Sequence, residues 1–159
     1  MAKSFILTWN PSLWPWPAGE LDSAALLTAA GHAVSDRWSV GGRCKGIAVG
    51  DRALLLRQHS ERGVVASGEF TSEVFWGEHW SDPKRETTYA TVEWDAVLHA
   101  EHRLPVDELK IHVPQVPWDR LQGSGAQVPE QAVVLLESLW LEHLGASPVG
   151  ERSDERRVG

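Results

Sequence analysis

Tryptophan is the residue that most constrains how this chain can fold. The 159 residues include nine Trp, against three Phe and one Tyr. Each buried indole carries an N–H group that needs an acceptor, so a fold must supply partners or leave indoles at its surface. The surplus therefore fits two interpretations: a tryptophan-rich core, or a set of rings kept available for stacking on a ligand.

Length and composition indicate one soluble domain. The chain is 42% hydrophobic, and its 159 residues fall within the usual size of a single domain. No apolar run approaches the roughly 18–20 residues of a membrane span, and the N-terminus lacks a signal-peptide core. Its single cysteine, Cys44, excludes an internal disulfide and a multi-cysteine zinc site. We expect a cytoplasmic monomer that binds no membrane, metal or cofactor.

The charge distribution limits which polyanions the chain can bind. The formal net charge is −7, which argues against indiscriminate nucleic-acid binding. Residues 1–36 carry a net charge of −2 and residues 86–159 carry −7, whereas residues 37–85 carry +2. The central third is therefore where a nucleic acid is expected to bind, over a small footprint.

The order of predicted elements indicates an α+β domain, built on a small curved sheet or open barrel with helices at its margins. A cap at Asp22 or Ser23 begins the first helix, and Gly31 ends it. Residues 1–144 are expected to form the domain, and residues 145–159 a disordered tail. The predicted strands lie at 4–8, 52–58, 63–71 and 87–98, and the helices at 22–30 and 129–144, with a turn of helix at 107–109.

Four tryptophans lie where regular structure is predicted to give way to loops, which is where binding residues are often placed. Trp9 ends the first strand, Trp38 falls in a glycine-bearing turn, and Trp76 and Trp80 fall in a loop over 74–86. The remaining five are predicted to pack: Trp94 and Trp140 in the core, and Trp14, Trp16 and Trp118 beside prolines.

The sequence has no catalytic signature. It contains no Walker loop, nucleophile elbow, H-E-x-x-H or dinucleotide-binding motif, and its seven histidines are scattered. Cys44 lies between two cations but has no predicted partner base. We expect a binding protein rather than an enzyme, with no catalytic residues.

Three segments resemble the EVE domain of the PUA-like superfamily, which also contains the YTH and SRA readers of modified bases. They are F-I-L-T-W-N-P at 5–11, R-W-S at 37–39 and G-V-V-A-S-G-E-F at 63–70. The run W-D-R-L-Q-G-S-G at 118–125 resembles EVE domains fused to HNH nucleases, and we expect this chain to act as a free-standing reader. The resemblance covers about residues 4–144 and implies a PUA-like fold.

The resemblance also implies a pocket that holds a flipped base in an aromatic cage. It places Asn10 at the base edge, Trp38 and Ser39 at the first wall, and Trp76 or Trp80 at the second. Trp9 is implied as a third wall or as part of the flipping apparatus. The residues expected to contact the nucleic-acid backbone are Arg37, Arg43, Lys45, Lys84, Arg85 and Ser124.

The expected function is recognition of a modified base in DNA. We favour 5-methylcytosine, because the motif matches are nearest to EVE–nuclease fusions directed at modified cytosine. A reader of methylated RNA (6-methyladenine) and an ASCH-like nucleotide-processing enzyme are the alternatives. Asn10 offers both a donor and an acceptor and suits cytosine or adenine, but Asn before Pro is also a common turn former.

Overall fold

One mixed sheet forms the centre of the molecule. The computed structural model describes residues 2–43, 45–121 and 123–146, and within them eight strands and three α-helices form an α+β fold, as predicted. The strands are β1 (Ser4–Trp9), β2 (Val34–Ser39), β3 (Arg52–Arg57), β4 (Gly63–Phe70), β5 (Phe75–Glu78), β6 (Glu86–Val97), β7 (Leu104–Pro105) and β8 (Ala126–Gln127). The helices are α1 (Ala18–Ala29), α2 (Val106–His112) and α3 (Glu130–Ala146).

The strands lie in the order β2-β6-β4-β3-β1-β8. β1 runs parallel to β3, and the other described pairs are antiparallel. β5 pairs with β6 on the same side as β4. Tyr89 of β6 pairs with Ser39 of β2 and with Phe75 of β5, so β2 and β5 must lie on opposite sides of β6. β-bulges interrupt the register at Leu55/Leu56 and at Ser67/Gly68, and such bulges bend a sheet.

The two faces of the sheet bury two separate cores. Along β1, Phe5, Leu7 and Trp9 contribute to one core and Ile6 to the other, as strand alternation requires. The first core lies beneath α1, and its large members are Phe5, Leu7, Trp9, Trp16, Trp38, Leu55, Phe70 and Trp94. The second core lies beneath α2 and α3, and its large members are Ile6, Leu54, Leu56, Leu104, Leu109, Trp118, Leu136 and Trp140.

Helix α1 ends as predicted but begins earlier. Gly31 has φ +89°, and the N–H groups of Gly31 and His32 donate to the carbonyls of Thr28 and Leu27, which closes the helix. The helix starts at Ala18 after Pro17, so the predicted caps Asp22 and Ser23 lie inside it. The added first turn brings Leu21 against the first core, and this packing explains the earlier start.

Two segments predicted to be loops are strands. Arg37, Trp38 and Ser39 belong to β2 instead of a turn, and the turn begins only at Gly41, where φ is +64°. Within the predicted loop 74–86, residues 75–78 pair with β6 as β5. Both strands are short and form because β6 offers them a partner, which local sequence does not reveal.

Helix α3 covers the second core along one stripe. Ala132, Leu136 and Trp140 are fully buried at helical spacing, whereas Leu135, beside Leu136 in the sequence, is 46% exposed. The helix continues to Ala146, and the remainder of the predicted tail, 147–159, lies outside the described residues, as does Cys44. None of the described helices has the length and apolar character that crossing a membrane requires.

A tryptophan-lined pocket as the candidate functional site

A pocket of about 870 Å³ opens at the ends of β1 and β2, beside the hairpin that joins β5 to β6. This volume is typical of sites for small organic ligands. It gathers all six residues predicted to bind a base: Trp9, Asn10, Trp38, Ser39, Trp76 and Trp80. Three of the predicted backbone contacts, Arg37, Arg85 and Ser124, also line it.

Trp9 and Trp38 form a fixed floor to this pocket. The Trp9 Nε1–H donates to the Trp14 carbonyl over 2.8 Å, and the Trp38 Nε1–H donates to the Thr8 carbonyl over 3.1 Å. Trp14 meets Trp38 edge to face, with centroids 5.2 Å apart, and Trp16 lies 5.4 Å from it. Trp38 is only 7% exposed, so it is at once a core residue and a pocket wall.

The sheet register places Trp76 in β5 and Trp80 outside it, two residues that the sequence leaves undistinguished. Trp38 lies opposite Ala90 and Trp76 lies opposite Thr88, two residues along the same strand. The two indoles therefore share one face of the sheet and flank β6 from either side. Trp80 lies instead in the hairpin tip.

Asn10 uses one half of its amide in a turn and leaves the other half available. Its Oδ1 accepts the Ser12 backbone N–H over 2.9 Å and the Ser12 hydroxyl over 2.6 Å. The backbone donor fixes which amide atom faces Ser12, since only the oxygen can accept. Within the described part of the chain, Nδ2 donates to no protein group. The turn role is confirmed, and two N–H donors remain for a ligand.

Two glycine turns meet at the wall formed by Ser39 and Ser124. The Ser39 hydroxyl accepts the Gly41 N–H, and the Ser124 hydroxyl accepts the Thr8 N–H. A Cβ on Gly41 would lie 2.9 Å from the Ser124 carbonyl oxygen, so only glycine allows this approach. Each serine hydroxyl accepts a bond from the backbone and keeps its own proton to donate.

Sequence reasoning missed a polar group at one end of the pocket. Gln58 donates to the Leu121 carbonyl and accepts from the Arg62 Nε–H, while the Arg62 guanidinium also pairs with Asp119 at 3.0 Å. Lys110 lies 2.6 Å from the same carboxylate. Lys110 and Arg62 hold the pKa of Asp119 below its usual value. No motif marks these residues, because tertiary contacts alone bring them together.

The cations near the pocket differ in whether they form ion pairs. In the described residues, Arg37, Lys84 and Arg85 make no ion pair, whereas Arg62 is paired with the Asp119 carboxylate. The Arg37 guanidinium lies 4.1 Å from the Tyr89 ring centre, which holds it in place without neutralising it. Lys84 lines a smaller neighbouring pocket of about 360 Å³, together with Trp76 and Arg85.

Arg43 and Lys45, both predicted to contact phosphates, do not line the tryptophan-lined pocket. Arg43 donates to the carbonyls of Gly125 and Lys45, and its guanidinium lies over the Phe5 ring. These contacts give Arg43 a structural role in holding the turn that follows β2. Lys45 is exposed in that same turn.

Solved structures of similar fold include human THYN1 in complex with 5-methylcytosine-containing DNA. The TM-score is 0.56 and the identity 13%, over 87% of this chain and 97% of that one. The ASCH protein from Zymomonas mobilis matches with a TM-score of 0.50 and 10% identity, over 86% and 95% of the two chains. The chain thus has a PUA-like fold, as expected. No family model and no curated protein matches its sequence.

Proposed function

We propose that this protein recognises a modified base in DNA, 5-methylcytosine first, by taking it into the tryptophan-lined pocket. The observation that carries the proposal is the convergence of Trp9, Asn10, Trp38 and Trp76 on one cavity. The likeness in fold to human THYN1, which was solved with 5-methylcytosine-containing DNA, supports the same substrate class. We assign the chain to the EVE type of reader, acting as a cytoplasmic monomer without catalysis.

Trp38 and Trp76 are the two walls of the proposed cage. Extruding a base from a duplex costs a few kcal/mol, and stacking on an aromatic side chain returns ~1–3 kcal/mol. Trp38 is fixed by the core, whereas Trp76 is 58% exposed and has room to close on a ligand. A buried methyl group adds about 1 kcal/mol, which accounts for a several-fold preference for the methylated base.

Asn10 then selects the base through its edge. Because its oxygen is committed to Ser12, it presents donors only, and these match acceptors such as O2 and N3 of cytosine. A base that turns a donor toward Asn10 leaves buried polar groups unpaired, which is costly. The hydroxyls of Ser39 and Ser124 provide further donors at the same wall.

A binding panel tests the proposal. Fluorescence anisotropy at fixed low salt should compare oligonucleotides with 5-methylcytosine, 5-hydroxymethylcytosine, 6-methyladenine or no modification, as duplex DNA, single-stranded DNA and RNA. We expect about a 5- to 10-fold preference for 5-methylcytosine over cytosine in DNA. Equal binding of all bases would contradict the proposal. A preference for 6-methyladenine in RNA would support the alternative of a methylated-RNA reader. Turnover of a nucleotide would support the alternative of an ASCH-like enzyme.

Trp76→Ala is the sharpest variant for this panel. Since Trp76 is largely exposed, its removal should leave the melting temperature unchanged and remove ~1–3 kcal/mol of binding to the modified base. Leu26→Ala on α1 is the control, because Leu26 is 71% exposed and does not line the pocket. Undiminished preference in Trp76→Ala would exclude Trp76 from the cage.

A further inference from the structure

The tip of the β5–β6 hairpin, residues 79–85, is held rigid although it projects from the sheet. The His79 N–H donates to the Arg85 carbonyl over 2.9 Å, and the Arg85 N–H donates to the Asp82 carbonyl over 3.0 Å. The Asp82 carboxylate also accepts the Lys84 N–H over 3.0 Å. These bonds fix the turn that presents Trp80.

Trp80 is exposed and already stacked on a ring. Its centroid lies 5.0 Å from that of His79 with 26° between the planes, yet 42% of Trp80 is exposed. The Ser81 N–H donates to His79 Nδ1 over 3.1 Å, which fixes the imidazole beneath the indole. A large apolar ring held at the surface in one orientation loses little entropy when it stacks on a further flat ring.

The hairpin tip also lies at the entrance of the pocket and carries unpaired positive charge. His79, Trp80 and Arg85 line the tryptophan-lined pocket, and Lys84 lies on the other side of the hairpin. Neither Lys84 nor Arg85 forms an ion pair with any described carboxylate. An exposed indole flanked by cations suits a nucleic acid, because cations bind phosphates while the ring stacks on bases.

We propose that Trp80 inserts into the base stack of a double-stranded partner, at the position that the flipped base has left. This inference rests on the proposed function and extends it from the base to the duplex. Extrusion leaves a gap one base thick, about 3.4 Å per step along a strand, and an indole has that thickness. Insertion therefore exchanges the contact of Trp80 with His79 for contacts with the two flanking base pairs. Apolar side chains inserted between base steps stabilise distorted duplexes in this way. A single strand has no fixed gap to fill.

Trp80→Ala separates this role from that of a pocket wall. For a duplex carrying one 5-methylcytosine we expect affinity to fall about ten-fold, equivalent to about 1.4 kcal/mol. For the single strand of the same sequence, affinity should change less than two-fold. Trp80→Phe should restore most of the duplex affinity, because it keeps a flat ring. Trp76→Ala is the matched control and should weaken both forms alike.

Each result distinguishes the inference from the function on which it rests. Equal losses on duplex and single strand in Trp80→Ala would make Trp80 a cage wall and overturn the insertion. No loss on the duplex, or no duplex binding by the unaltered protein, would overturn it as well. If the unaltered protein shows no preference for the modified base in either form, the proposed function fails, whereas a duplex-specific loss in Trp80→Ala would still support insertion.

Discussion

The two faces of the sheet solve the problem of burying tryptophan differently. The second core is sealed by α2 and α3 and is mainly aliphatic, with Trp118 and Trp140 as its only indoles among the described residues. The first core groups Trp9, Trp16, Trp38 and Trp94, and it continues without interruption into the wall of the pocket. One face is covered by helices α2 and α3, whereas the other continues into a pocket.

This difference bears on both interpretations of the tryptophan surplus, because indoles of the first core are packed and also reach the pocket wall. The indoles of the first core contact one another mostly edge to face or tilted, as in Trp9–Trp16 and Trp38–Trp94. Such contacts fix each ring through its neighbours. The pocket floor is therefore as rigid as the core, and a substitution there should affect folding as well as binding.

Trp38→Ala should have the largest effect, because it removes a residue shared by the first core and the pocket. We expect a loss of about 3–5 kcal/mol in the free energy of unfolding, as for other buried tryptophans. Preference for the modified base should be lost as well. Urea denaturation and anisotropy measure the two effects, and an unchanged urea midpoint would show that Trp38 is not part of the core.

Leu136→Ala should destabilise the protein to a similar or slightly smaller extent without changing what it binds. Leu136 is fully buried in the second core, so its truncation should cost about 2–5 kcal/mol. Binding preference, measured where the variant remains folded, should be unaltered. Val134→Ala is the control on the same helix, since Val134 is 73% exposed. A changed preference in Leu136→Ala would mean that the two faces are coupled.

Asn10→Asp should affect only binding. The carboxylate keeps the acceptor for Ser12 and so keeps the turn, with stability expected within about 1 kcal/mol. It lacks the two amide donors and places a negative charge beside the base acceptors, so most discrimination for the modified base should vanish. Thermal melting measures the stability of the variant, and the oligonucleotide panel measures its discrimination for the modified base. Intact discrimination would remove Asn10 from the base edge.

Asp36→Asn should have the smallest effect, and one that depends on pH. Burial raises the pKa of Asp36 and the nearby Glu20 adds to the rise, while the Arg37 N–H donates to the carboxylate and opposes it. A raised folded-state pKa favours folding at low pH, and this contribution is lost as pH rises through that pKa.

Asparagine at position 36 keeps the acceptor for the Arg37 N–H and removes a partly buried charge. It should therefore stabilise the protein at pH 7, by less than about 1 kcal/mol. The gain should disappear as pH falls below 3.8, the ordinary pKa of the carboxyl. Melting temperatures of the variant and the parent, measured from pH 7 to below pH 3.8, test whether the variant is the more stable protein at neutral pH. A variant less stable than the parent at pH 7 would contradict the prediction.

Local patterns were enough to predict most of the fold. The β3–β4 hairpin, strand β6, helix α3 and the end of α1 at Gly31 all follow from alternation, helical spacing or turn residues. Strands β2 and β5 were missed because their pairing with β6 is a tertiary effect. In β5 the sequence F-W-G-E shows neither alternation nor β-branched residues.

The lining of the tryptophan-lined pocket was predictable where one residue type carries the signal. Trp9, Trp38, Trp76 and Trp80 were proposed from their places along the chain and from the EVE resemblance, and all line one pocket. Charged residues gave a weaker signal, because their partners are distant in sequence. Arg43 lies beside a glycine turn like a phosphate ligand, yet Gly125, 82 positions away, accepts its Nε–H.

The pairing of β1 has a consequence for the order in which the protein folds. This strand, which leads into Asn10, lies between β3 and β8, and its partners in β8 are Ala126 and Gln127. During synthesis the first residues emerge long before the last, and contacts between them wait for the intervening chain. The tryptophan-lined pocket, with Ser124 in its wall, is therefore completed late, after the β3–β4 hairpin can already have formed.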